Sequence, residues 1–313
     1  MKKIGILILF TTAIILGLNR NLSAVNQGDK KQNTNRNTDE HARVSIGKDI
    51  FSFEEGDSAY DIRVGNRGLK ILESLEGPKF NFEKFSKDEE WDQDGKDNDH
   101  SRKLFRFKGH WTGIELGFNN YVTSGKSFAM PDNISYMTLQ SGKSTNFNVN
   151  FSQLSLGLSR HIGFVTGLGL NWNNYRFDGN NNIMKGTNGV IVEMDPGAEL
   201  KKSKLATIYL TLPFLLELQI PAENHHISIA AGPIGAVKLG SHSKIVFEDD
   251  QKVKAHGDFS LNMLRYGATA RVGYENFHIY GTYYMTPLFQ SGKGPGGNNL
   301  YPFEVGIALT FND

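Results

Sequence analysis

The chain has 313 residues with 34 Lys plus Arg against 33 Asp plus Glu, a formal charge of +1 that gives no support to a nucleic-acid binder. Without a single cysteine it has no disulfide scaffold, Cys-based zinc site, thiol nucleophile or lipid-bearing lipoprotein cysteine. Thirty-four glycines beside 21 Phe and 11 Tyr make a strand-and-turn composition, which points to an all-β protein.

Residues 1–24 read as a secretory signal peptide. Lys2 and Lys3 precede an apolar run from Ile4 to Leu18, and the small pair Ser23-Ala24 offers a cleavage site before a very polar stretch. The run is short for a membrane span, and no second run of its length follows. An exported chain of this kind has two destinations, the periplasm or the outer membrane.

Charge then divides the remainder. Residues 25–108 carry 16 basic and 18 acidic side chains in 84 positions, a density that disfavours a packed core. Residues 109–313 carry 15 of each sign in 205 positions, which places the boundary near Lys108-Gly109. The polar part reads as a largely disordered periplasmic leader, with a disordered stretch over residues 25–47. A small hairpin is predicted near 61–72, where Ile62 and Val64 alternate, Gly65-Asn66-Arg67-Gly68 can turn, and Leu69 and Ile71 alternate again. A lone two-stranded hairpin is marginal in water and needs something to rest against. Further on, Glu90, Asp92, Asp94 and Gly95 copy the first half of a calcium-loop spacing, but Ser101 stands where the bidentate Glu belongs, so the run reads as solvated linker.

After Gly109 the pattern has period two. Thr112, Ile114, Leu116 and Phe118 share one face, opposite Gly113, Glu115, Gly117 and Asn119. A second piece, Phe147 to Ser159, slips phase between Phe151 and Leu154, which predicts a bulge. The others run over Phe164–Phe177, Leu205–Ile220, His226–Leu239, Asp258–Tyr274, Phe277–Met285 and Tyr301–Phe311. The connections alternate: short near 160–163, 221–224 and 275–276, and long near 123–145, 179–203, 244–257 and 286–299. Eight strands with this alternation predict an eight-stranded antiparallel transmembrane β-barrel over 109–313, with short periplasmic turns and long outer loops. A lipocalin-like soluble barrel would need an apolar interior, whereas here the polar-side positions are Gly, Ser, Asn, Thr and charges. Trp111, Tyr121, Trp172, Tyr175, Tyr274, Tyr301 and Phe311 near strand ends suit interfacial aromatic girdles.

The segments HWTGIELGFNNY, SKLATIYLTLPFLLELQIP and RYGATARVGY, with the IRVGNRGLKI hairpin ahead of them, resemble the PorT-like outer-membrane β-barrel proteins common in Bacteroidota. The resemblance covers most of the chain after residue 24 and rests on strand texture. It implies a barrel and an outer-membrane location, but no activity, since that family is functionally heterogeneous, with members linked to protein secretion. Phe311 sits two residues short of the end, close to where outer-membrane barrels carry the aromatic that the outer-membrane assembly machinery recognises.

Inside an eight-stranded ring the alternation places Glu115, Glu217 and Glu304 with Lys238, Arg265 and Arg271, three charges of each sign. Strand directions put Glu115 near the level of Arg271 and Glu304 higher, near Arg265. The expectation is a lumen charge network that plugs the barrel and holds register. The alternative is a selective charged pore. His161, His225 and His226 lie at short turns, and His242 and His256 flank a long loop; none has metal-motif spacing, there is no GxSxG stretch, and all five read as solvated. No catalytic residue, metal or cofactor is expected. The outer loops, with Phe128, Met130 and Tyr136 in one and Gly292–Asn299 in another, read either as solvated covers or as binding surfaces. The sequence reading is a structural or interaction role in the outer membrane, with outer-membrane lipids and a periplasmic or cell-surface protein as partners. A small pore or loop-based receptor is the runner-up, and no enzyme is expected.

Overall fold

The computed structural model describes the strands between Arg43 and Lys84 and residues 107–222 and 225–311. The predicted signal peptide, residues 25–42 of the stretch expected to be disordered over 25–47, and the acidic run at 85–103 lie outside the described residues; residues 43–46 of that stretch form a strand instead.

The first described elements are β1 (Arg43–Ile46), β2 (Phe51–Glu55), β3 (Ala59–Val64), β4 (Arg67–Ser74) and β5 (Gly77–Lys84). They form an antiparallel meander in chain order. The predicted hairpin is its centre: β3 pairs with β4 from Ala59↔Leu72 to Val64↔Arg67, so Arg67 and Gly68 belong to a strand and not to the turn. A hairpin alone has two open edges; here β2 and β5 occupy both. The leader thus holds a five-stranded sheet where sequence signals were strong enough for two strands.

The barrel wall consists of β6 (Gly113–Thr123), β7 (Thr145–Gly157), β8 (Ile162–Arg176), β11 (Leu200–Ala222), β12 (His225–Phe247), β14 (Leu264–Tyr274), β15 (Phe277–Tyr284) and β16 (Leu300–Thr310). Each pairs antiparallel with its neighbours, and pairing of β16 with β6 and of β11 with β12 leaves a ring of eight without an edge. Closure is what a bilayer demands, because an unpaired edge would leave backbone polar groups facing hydrocarbon. The predicted bulge is present in β7, where the register shifts between Asn150 and Ser152.

Period two decides what faces out. Along β11, Leu212, Phe214, Leu216, Leu218 and Ile220 are exposed, while Thr211, Leu215 and Glu217 at positions of the opposite phase are buried inside. The same holds for Val305, Ile307 and Leu309 against Glu304 and Ala308 on β16. This reversal of the soluble pattern, with aliphatic side chains outside and carboxylates inside, is the pattern of a wall bathed in lipid.

Two expected boundaries shift. β11 and β12 run 23 residues each and continue past the wall, where β13 (Lys252–His256) adds to β12 and β9 (Asn182–Lys185) pairs with β10 (Ile191–Met194) as a separate hairpin. The sixth strand starts at Leu264 and not at Asp258, because Phe259 and Ser260 take left-handed φ of 46° and 49°, which strand geometry excludes.

A charge on the outer wall tests the orientation of the faces. Phe214→Arg, near the middle of the apolar file, is expected to lower folding stability in lipid vesicles by about 2–4 kcal/mol, measured by denaturant titration. The inward Thr211→Ser is expected to leave it nearly unchanged.

Candidate functional site

The inward faces and the chain just before β6 together fill the ring, in three tiers. At the short-turn end, residues 107–112 enter the lumen as a strap. Beyond the Thr112 carbonyl, which accepts from Phe311 N–H at 2.8 Å, side chains of the wall take over the bonding of its backbone. Gly109 N–H donates to Ser155 Oγ (3.0 Å), Trp111 and Thr112 N–H donate to Gln153 Oε1 (2.6 and 2.9 Å), and Gln153 Nε2 donates back to the Gly109 carbonyl (2.8 Å). Gln219 Nε2 donates to the Lys108 carbonyl (2.6 Å) and Arg271 Nη1 to that of His110 (3.1 Å).

Glu217 anchors the strap by both oxygens: Oε2 accepts from His110 N–H at 3.0 Å, and Oε1 lies 2.6 Å from His110 Nδ1. The other side of the same imidazole, Nε2, meets His226 Nε2 at 2.9 Å. Phe107 and Trp111 then act as apolar stoppers, packed with Val165, Leu215, Ala230, Ile234 and Tyr284. The glycines of β8 make room for them. A Cβ at Gly163 would come within 2.5 Å of the Phe107 ring, and one at Gly167 within 2.6 Å of Trp111.

The middle tier is the charge network. Arg271 Nη2 donates to Glu115 Oε1 at 2.7 Å, and Asn148 and Asn150 donate to the two Glu115 oxygens at 2.6 and 2.7 Å. The Arg271 guanidinium also lies 4.6 Å from the Trp111 ring centre. One layer up, Arg265 is held between the rings of Tyr209 and Tyr284, 3.7 Å from each centroid, with Glu304 Oε1 at 3.7 Å. Glu304 accepts from Asn171 and Asn173, each at 2.9 Å. All four charged groups are at most 3 % exposed, so each charge depends on these partners and not on bulk water. The space left at the centre admits about one water molecule.

The third tier closes the opposite end. The long connections do not stand free as solvated covers. Ile134, Met137, Leu139, Phe177, Ile183, Ile191, Leu261, Leu288 and Phe289 from the loops pack with Tyr121, Tyr175 and Leu205 of the wall into a second apolar core, against which Met130 and Tyr136 rest. Polar ties hold it. Tyr121 Oη donates to the Met137 carbonyl, Tyr136 Oη to that of Ile191 (3.2 Å), and Ser260 Oγ to that of Gly189 (2.6 Å). Lys185 Nζ donates to Asp258 Oδ1 at 2.8 Å. Burial pulls the Asp258 carboxyl upward, but hydrogen bonds from Lys185 and the Ser260 N–H, with the charges of Lys185 and Lys238, outweigh it and hold it below its ordinary range.

Five of the six predicted lumen charges lie inside the ring, and Glu115–Arg271 and Glu304–Arg265 pair at the levels expected. Lys238 differs: its Nζ donates to the Asp258 carbonyl (3.1 Å) at the loop end, and Glu217 takes His110 as partner. The histidines also depart from a uniformly solvated set. His161 is exposed, but His226 meets His110, and His242 is fully buried with the His256 ring 5.7 Å away. Of the expected girdle, Trp111, Tyr121 and Tyr175 are buried among the stoppers and the cap, while Tyr274 and Phe311 are about half exposed. His110 and His278 carried no sequence signal. His278 is fully buried with Nε2 2.7 Å from Ser228 Oγ, and it declares itself only as one more inward position of β15. Among the described residues no group of three or more His, Asp or Glu side chains is arranged to hold a metal ion.

The closed ring, the apolar exterior and the polar interior agree with the comparison to known families, in which the model of the outer membrane protein beta-barrel domain matches residues 91–291. The chain belongs to that family. No curated protein and no solved structure matches it. The protein is therefore an outer-membrane β-barrel, with its short turns on the periplasmic side by the rule for such barrels and the loop cap outside.

Two predictions follow from the tiers. Glu115→Ala leaves Arg271 buried without its carboxylate and is expected to cost about 3–5 kcal/mol in denaturant unfolding, far more than the double replacement Glu115→Gln with Arg271→Met. For Asp258, a depressed carboxyl contributes stability above its unfolded value of 3.8 that is lost as pH falls through the folded one. Amides of β9 and β10 are expected to keep their hydrogen-exchange protection at neutral pH and to lose it below about pH 4 before the wall strands do; Asp258→Asn removes that pH dependence.

Proposed function

We propose that the protein is a non-conducting outer-membrane anchor that presents its periplasmic leader to a protein partner. The observation that supports this reading is the strap. The backbone of residues 108–112 is gripped inside the barrel by Ser155, Gln153, Glu217, Gln219 and Arg271, which holds the start of the strap at the short-turn end of the lumen. The stoppers, the paired charges and the loop cap each occupy a different depth of the same lumen, which favours a plug over a pore. Within the family, the strand segments and the IRVGNRGLKI hairpin support a PorT-like member. The five-stranded sheet is the natural contact module for a periplasmic partner, and the role is one of interaction, not of catalysis.

In planar bilayers the reconstituted protein is expected to carry no steady ionic current; sustained single-channel conductance overturns the plug in favour of a small pore. Crosslinking in intact cells is expected to attach a periplasmic protein to the full chain. Removal of residues 25–106 is expected to abolish that product while leaving the heat-dependent gel mobility of a folded barrel. Retention of the crosslinked partner by the shortened protein would remove the leader from the role.

A further inference from the structure

At the short-turn end of the lumen, three imidazoles gather about one carboxylate. His110, in the strap, is the centre of the group, and its ring is engaged on both sides. Nδ1 lies 2.6 Å from Glu217 Oε1, which also accepts from Gln219 Nε2 at 2.8 Å, so this oxygen is an acceptor and Nδ1 carries a hydrogen. Nε2 lies 2.9 Å from Nε2 of His226 on β12. Two ring nitrogens at that distance need one proton between them: with none they are two bare lone pairs, and with two their hydrogens collide. The four nitrogens of the two rings therefore hold at most three protons while the contact lasts, which is one positive charge. Glu217 balances that charge and no more.

The surrounding elements do not welcome a second charge. On β15 the buried His278 ring stands 5.2 Å from that of His110, with Nε2 at 2.7 Å from Ser228 Oγ of β12. On β14, Arg271 donates to the His110 carbonyl, and its own counter-charge, Glu115 of β6, is taken by their pair at 2.7 Å. In the β14–β15 turn Glu275 is engaged by His225. Lys108 in the strap and Arg160 and His161 in the β7–β8 turn are exposed, and the His161 carbonyl accepts from Gln219 N–H at 2.7 Å. His110 is buried, whereas His226 is half-buried at the periplasmic end, where protons reach it from solvent. We propose that His110 and His226 form a proton-operated latch on the strap, shut while the two rings share a proton and open once each carries its own. The open state binds one proton more than the shut state, so the latch weakens as pH falls through the ordinary imidazole value of about 6.5. The latch is a property of the strap and holds whether or not the leader meets a protein partner.

The test follows hydrogen exchange of the full chain in detergent between about pH 8 and pH 4, by mass spectrometry of peptides covering residues 107–112, with each rate divided by the intrinsic rate at that pH. Protection of the strap is expected to stay level at the upper end and then to fall about tenfold per pH unit below the imidazole value, the slope for one extra proton, while the wall strands keep theirs. His226→Gln, whose amide can still donate to His110 Nε2 but takes up no proton, is expected to keep the strap protected down to about pH 5. Heat-dependent gel mobility verifies that this variant folds. Should it not fold, the profile of the unaltered chain decides: a level profile overturns the latch, and so does a fall shared by the wall strands. A fall that sets in only below about pH 4.5 belongs to the Glu217 carboxyl and overturns the imidazole pair. The same profile in His226→Gln as in the unaltered chain also overturns it.

Discussion

The structure depends on keeping charged side chains inside a ring too narrow to hydrate them. Eight strands enclose an interior only as wide as side chains can fill, so a carboxylate or guanidinium pointing inward must find its counter-charge and its hydrogen bonds on the facing wall. Glu115 meets Arg271 across the ring, and two asparagines of β7 occupy its remaining lone pairs. Glu304 and Arg265 do the same higher up, with two tyrosine rings enclosing the guanidinium. Each pair links strands that are not neighbours in the sheet. A slip of one residue in any of them would turn a charge to the lipid and leave its partner alone, so the pairs hold register as well as fill space.

The same lack of space explains the strap. A peptide segment inside a barrel brings backbone donors and acceptors that water cannot reach, and such groups are costly unless paired. Gln153 serves three of them and Glu217 one, along with the His110 ring, while the small residues of β8 give way to aromatic rings. In the proposed role, plugging and anchoring come from one arrangement: whatever grips the strap also fixes Phe107 within the ring.

At the outer end the physics changes from charge to hydrophobic contact. Loops long enough to wander would expose backbone and lose entropy on binding anything; these instead bury Ile134, Met137, Phe177, Ile183, Ile191 and Phe289 on the mouth of the ring. The cap is a small domain core perched on a membrane barrel.

Much of this was legible in the chain alone, for one physical reason. A strand in a barrel wall sees two different solvents on its two faces, and period two records both, so strand number, inward charges, the bulge in β7 and the alternation of short and long connections follow from residue order. The levels of Glu115 with Arg271 and of Glu304 with Arg265 follow as well, because antiparallel rise fixes height. What only the tertiary structure decided are contacts that no local period encodes. Glu217 turns to His110 because the strap passes beside it, and Lys238 is drawn to the loop end. His226 is met by a ring from 116 residues earlier, and scattered loop apolars find one another over the mouth. Those partners come from segments with no repeat of their own, and proximity across the closed ring is what brings them together.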